Sequence, residues 1–255
     1  MIECLVITVL VDNTAGGRGL LGEHGLSFLI ETETDRLLFD TGQGLALHHN
    51  AQQLNISLVD LNAIVLSHGL DHTGGWPALL KKSNKTDLFL HPEAIAPKYS
   101  SKGDIGSPLQ DEQALTKQVR RLIWTEKPTE VVAGVWVTGA IPRRHPLEDT
   151  GGSFWHSPKS TDIDLLLDDQ ALFMETLRGF VVIFGCAHAV IINTLDYIAE
   201  ITGARSFYAV LGGMHLLQAK SDRLQATIEH LKRYDVQVIG ANHCTGMKAT
   251  SILWH

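Results

Sequence analysis

Ile64-Val65-Leu66-Ser67-His68-Gly69-Leu70-Asp71-His72-Thr73-Gly74-Gly75 is the stretch on which the reading of this chain turns. A short apolar, strand-like run stops at two imidazoles and a carboxylate, and a Thr-Gly-Gly turn follows that can open a helix. Neutral imidazole and ionised carboxylate are ligands that Zn²⁺, Fe²⁺ and Mn²⁺ accept, and a loop at a strand end can aim several of them at one point. The pattern therefore predicts metal chemistry at the end of a buried strand. A plainer reading exists, in which Asp71 or Thr73 caps the following helix by accepting backbone N–H bonds.

Outward from this loop, strand-like runs lie at Leu5–Leu10, Leu26–Ile30, Leu37–Phe39, Ala63–Leu66 and Asp87–Leu90, with helical composition at Gln43–Leu54 and Gly75–Lys82. From Pro92 to Trp124 the pattern breaks at Pro97, Gly103, Gly106 and Pro108, so residues 92–124 read as a lid or a surface insertion. Strand character returns at Val131–Thr138, Ala171–Thr176 and Phe180–Phe184. A helix follows at Val190–Thr202, a strand at Ser206–Leu211, a helix at Leu224–Tyr234 and a strand at Val236–Gly240. Strands first and helix-strand units later in each half predict one α/β domain over residues 1–255, with two sheets inside and helices outside.

At 255 residues and 44% hydrophobic content the chain can bury a large core. A net charge of -7 argues against steering toward nucleic acid or an anionic membrane, which leaves a small molecule as the expected partner. No apolar run approaches the roughly 18 residues of a membrane span. Cys4, Cys186 and Cys244 are too few and too scattered for a disulfide framework, and residues 1–10 read as a strand with no basic leader; both predict a cytoplasmic protein. A homodimer is compatible with this composition. The 13 histidines are the unusual item, because several sit beside glycine at apparent strand ends.

The same style, an apolar run followed by glycine and a metal-capable residue, recurs at Phe180–His188, Tyr208–His215 and Val236–Gly246, and Leu37–Gly42 carries Asp40. Strand ends on one edge of an α/β fold converge on a shared cleft, so these residues can meet. The combination of Leu38-Phe39-Asp40-Thr41-Gly42, the His68–Gly75 loop and His243 resembles the metallo-β-lactamase fold superfamily. More narrowly, Gly139-Ala140-Ile141-Pro142-Arg143, Asp168-Asp169-Gln170-Ala171-Leu172, Gly185-Cys186-Ala187-His188, Gly212-Gly213-Met214-His215-Leu216 and His243-Cys244-Thr245-Gly246 resemble its dihydropterin-ribofuranosylaminobenzene 5'-phosphate synthase branch.

The resemblance implies a four-layer αβ/βα sandwich with a site for one or two zinc ions, or iron or manganese, at one edge of the sheets. It implies His68 and His188 as ligands of one ion and Asp71, His72 and His243 as ligands of the other. Asp71 would also orient the attacking water, and His215 would either hydrogen-bond substrate or a metal-bound water in the cleft or support a ligand from behind. Asp40 would orient ligand histidines, Arg143 could clamp a phosphate, and Arg144 and Cys244 read as a surface arginine and a core thiol. The family loop runs His-x-His-x-Asp-His. Here His68-Gly69-Leu70-Asp71-His72 is one residue shorter and lacks the second histidine, and the Cys186 thiolate is the residue that could compensate. The implied function is a metal-dependent hydrolase or transferase for a phosphate-containing or ester small molecule, such as a pterin phosphate. The alternative is a non-catalytic binding protein with a partial metal site.

Overall fold

The computed structural model describes residues 1–70, 72–80, 86–108, 111–147, 150, 152–159 and 161–254. In the first half, β1 (Val6–Val11), β2 (Ser27–Glu31) and β3 (Arg36–Phe39) form an antiparallel meander. Then β4 (Ala63–Val65) and β5 (Asp87–Leu90) add in parallel beyond β3. A small ribbon, β6 (Tyr99–Ser100) and β7 (Gly103–Asp104), precedes β8 (Arg121–Trp124), which closes the sheet in the order β1-β2-β3-β4-β5-β8. The second sheet starts antiparallel with β9 (Thr129–Val132), β10 (Val135–Val137), β11 (Ala171–Thr176) and β12 (Gly179–Phe184). It ends with β13 (Phe207–Gly213) and β14 (Val238–Asn242), both parallel to β12.

The alternation of side chains along these strands builds the layers. Leu37, Phe39, Ala63, Val65 and Phe89 of the first sheet face Val137, Leu172, Met174, Val181 and Ile183 of the second in one central core. Their neighbours Leu38, Ile64, Leu88 and Leu90 point the other way, onto α1 (Leu47–Gln53), α2 (Trp76–Leu80) and α3 (Glu112–Gln118). Phe173, Val182, Phe184 and Val210 likewise point onto α4 (Ile191–Thr202), α5 (Ser221–Arg233) and α6 (Met247–Leu253). Helix, sheet, sheet, helix is the expected αβ/βα sandwich. Burying each large apolar side chain in these layers contributes about 1.5–3 kcal/mol.

Local chemistry sets the element ends. Asp111 caps α3 by accepting the Gln113 and Ala114 N–H groups, and Gly203 at φ 75° ends α4 in the left-handed conformation. The Glu23 carboxylate, nearly buried, accepts the N–H groups of Gln43, Gly44, Leu45 and Ala46 ahead of α1.

Two sequence expectations change. The run Val131–Thr138 is a hairpin, β9 and β10, turned at Gly134 with φ 76°. Residues 92–124, read as irregular, contain a 3-10 turn at Pro92–Ile95, the ribbon, α3 and β8. Strands β3 and β4, like β12, β13 and β14, run parallel, so each set opens its C-terminal ends to one edge, where the polar loops gather.

Candidate metal centre

Asp40, the first residue after β3, is held at φ 62° with its carboxylate fully buried. One carboxylate oxygen accepts the Ser67 N–H at 2.7 Å; the other accepts the Ser67 hydroxyl and the His72 Nδ1–H, each at 2.6 Å. The Ser67 hydroxyl gives its one proton to this carboxylate. Its 2.7 Å contact with His68 Nδ1 must therefore run from ring to hydroxyl. His188 Nδ1 donates to the Thr150 carbonyl at 2.8 Å, and His243 Nδ1 to Asn13 Oδ1 at 2.7 Å. Asp12 next to it accepts the His243 backbone N–H at 2.7 Å. Each of these imidazoles thus carries its proton on Nδ1, which makes Nε2 the acceptor nitrogen of the ring.

Those acceptor nitrogens converge. His72 Nε2 and His243 Nε2 lie 3.1 Å apart, and the His68 ring centroid is 4.5 Å from that of His72 and 5.0 Å from that of His188. Cys186 Sγ sits 3.3 Å from His72 Nε2. It shares one cluster, with ligand atoms mutually within 4.8 Å, with His68 and His188, and another with His72 and His243. His68 Nε2 and His188 Nε2 are buried and meet no hydrogen-bond partner among the described residues.

A metal ion answers this arrangement. His72 Nε2 and His243 Nε2 stand 3.1 Å apart, close to the roughly 3.3 Å at which a tetrahedral zinc with Zn–N bonds of about 2.0–2.1 Å would place two ligand nitrogens. Burial holds His68 and His188 well below the usual imidazole pKa, with the neighbouring histidines adding to it. It acts on His243 in the same way, together with His72 and His24. The rings are therefore neutral, the form that binds metal. Burial pushes the Cys186 thiol up, and a coordinated cation is what would draw it back to thiolate. The donor set of imidazole nitrogen and sulfur suits zinc and iron better than magnesium or calcium.

Of the other residues singled out in the sequence, Asp71 lies outside the described residues. His215, half-buried at φ 48°, packs its ring 4.5 Å from that of His188. Arg143 donates to the Leu166 carbonyl at 3.0 Å, and Arg144 makes an exposed pair with Glu200 at 2.7 Å. Cys244, expected to be a core thiol, is buried; it lies in a cluster with Cys186 and His215, and its thiol donates to the Cys186 carbonyl. Residues that hold these histidines in place were missed: Asp12, Asn13, Ser67 and Thr150. So was His24, exposed, with its ring 4.9 Å from that of His243.

A paired-sheet sandwich with histidines at one edge defines a class, and the family comparison agrees: the model of the metallo-beta-lactamase superfamily matches residues 21–209. The chain belongs to that superfamily. Within it, the chain is 30% identical to 7,8-dihydropterin-6-methyl-4-(beta-D-ribofuranosyl)-aminobenzene-5'-phosphate synthase of Methanocaldococcus jannaschii, over 98% of this chain and 91% of the relative. An uncharacterised protein of the same organism is 32% identical over 97% of this chain and 93% of its own length. Among solved structures, Tm1679, described as a metal-dependent hydrolase of the beta-lactamase superfamily, superposes with a TM-score of 0.81 at 31% identity, covering 97% of this chain and 91% of its own. Among the described residues no helix is long and apolar enough to cross a membrane.

Proposed function

We propose that this protein is a metal-dependent hydrolase or transferase acting on a phosphate-containing or ester small molecule, with a pterin phosphate as the first candidate given its similarity to the pterin-phosphate synthase. The observation that carries the reading is the convergence of His68, His72, His188 and His243 around the Cys186 sulfur, with His68 Nε2 and His188 Nε2 buried and without a hydrogen-bond partner among the described residues. In this reading His68, His188 and Cys186 hold one divalent ion, and His72, His243, Cys186 and Asp71 hold a second. Zinc is the first choice, with iron or manganese as alternatives. Such an ion supplies Lewis acidity, polarising a phosphoryl or carbonyl oxygen and making a water more acidic.

The remaining work falls to side chains of the chain itself. Asp40, the Thr150 carbonyl and Asn13 hold protons on Nδ1 of His72, His188 and His243, which fixes ring orientation and tautomer and makes Nε2 the stronger donor toward a metal. Asp71 orients the attacking water. His215, next to His188 and half-buried, offers a hydrogen bond to a substrate oxygen.

The test is a panel of phosphomonoesters, phosphodiesters, carboxylic esters and lactones, assayed with chelated protein and after addition of zinc, manganese or ferrous iron. Turnover that depends on metal and is lost in His72→Ala and His243→Ala supports the proposal. One observation favours a second reading, a binding protein with a degenerate site: the loop His68–His72 is a residue shorter than the family pattern. That reading predicts metal-loaded protein that binds a pterin phosphate and turns over nothing in the panel.

A further inference from the structure

Behind the His68 loop lies a buried charge cluster that the proposed chemistry does not use. Lys98 is fully buried, and its Nζ donates to Asp164 at 2.8 Å and Asp168 at 3.0 Å, two carboxylates that are themselves buried. Burial alone would drive the Lys98 ammonium down, but Asp168 and Asp164 more than reverse this and hold its pKa raised, so it stays charged. The other oxygen of Asp168 accepts the Gly69 N–H at 2.7 Å. Gly69 directly follows His68, and a Cβ there would collide with the Ala94 backbone, so the loop is gripped between Ala94 and Asp168.

The next two residues continue the grip. Asp169 accepts the Ala189 N–H, one residue beyond His188, at 2.7 Å. Gln170 donates its side-chain amide to the Leu66 carbonyl at 2.8 Å and its backbone N–H to the Ser67 carbonyl at 3.0 Å, while Thr125 donates to its Oε1 at 2.8 Å. Three consecutive side chains thus join the loop of the first sheet to the loop of the second.

A buried ion pair adds little net stability over apolar residues of the same volume, and one sealed from solvent cannot touch a substrate. Placement is the role that remains. We propose that Asp168, Asp169 and Gln170 are positioning residues that set the spacing of His68 and His188, and that Lys98 keeps the Asp168 carboxylate aimed at the Gly69 N–H. In a loop a residue shorter than its family pattern, this grip is what points His68 Nε2 at the cluster. The inference rests on the reading of His68 and His188 as metal ligands.

The experiment is a zinc titration of the full chain against a chromophoric chelator, with melting followed in parallel. Asp168→Asn keeps the volume and an acceptor but loses the charge, and is expected to weaken zinc binding about tenfold, the low end for residues that support a metal ligand. In a His68→Ala background it should weaken binding no further, since its route to the metal is then gone. Asp169→Asn, paired with His188→Ala, repeats the test from the second sheet should the first variant fail to fold. Asp87→Asn removes a buried carboxylate at the start of β5 and should lower melting without changing zinc affinity. Variants of Asp168 and Asp169 that melt earlier but bind zinc like wild type would overturn the inference, as would a loss that persists undiminished without His68 or His188. Wild-type protein that takes up no zinc would fail the ligand reading itself, and the inference with it.

Discussion

Asp40 shows how much of the site depends on one side chain. Its carboxylate receives the Ser67 N–H, the Ser67 hydroxyl and His72 Nδ1, and through Ser67 it also settles His68. Asp40→Ala should therefore weaken zinc binding by roughly 10- to 100-fold and lower stability as well, read by calorimetric titration and by melting. A second route to the same loss is Gly185→Ala, whose added Cβ would meet Ser67 Oγ and Asp40 Oδ2. The expected outcome there is weaker zinc binding in protein that still melts cooperatively, read by the same two measurements. The clustered histidines themselves were legible because histidine beside glycine at the end of an apolar run is a local pattern. Their supports were not: Asp12 and His243 are 231 positions apart, and nothing near Asp12 or Asn13 in sequence announces an imidazole partner. His24 stayed hidden for the same reason, having no strand-end run of its own and meeting His243 only through the fold.

At the scale of elements, short apolar runs buried on both faces were readable nearly to the residue, as Asp87–Leu90 and Ala171–Thr176 show. Two were not. The hairpin of β9 and β10 hid inside an apolar run whose only turn signal was Gly134, and β8 hid because its first residue, Arg121, serves an ion pair and not the core. That ion pair carries its own pH dependence. Burial raises the Asp87 carboxyl, but Arg120 and Arg121 outweigh it, so its pKa is lowered. A carboxylate depressed in the folded state contributes stability that is present above its unfolded value of about 3.9 and is lost as pH falls through the folded value. Asp87→Asn should accordingly flatten the acid limb of stability below about pH 4, measured by urea unfolding across pH, and leave the neutral region lower but level. In the central layer, Phe39→Ala should cost about 3–5 kcal/mol in the same measurement, because the ring is fully buried between the sheets.

Taken whole, the molecule is two strand-helix halves joined at an apolar core and, at one edge, by a polar centre to which both halves contribute. His68 and His72 come from the first sheet, and Cys186, His188 and His243 from the second. An ion held there links the halves, so a chelator should lower the melting temperature and added zinc should restore it, by the ordinary linkage between ligand binding and folding. Pattern alone placed these histidines on one edge of a sandwich; the contact of His68 with His188 and of His72 with His243 depends on how the sheets stack, which no local pattern encodes. The central claim, that these side chains form a metal centre, is tested most directly by elemental analysis of protein purified without chelator. The account predicts at least about one equivalent of zinc, iron or manganese per chain, retained through gel filtration. Only trace metal, in protein that is folded, would contradict it.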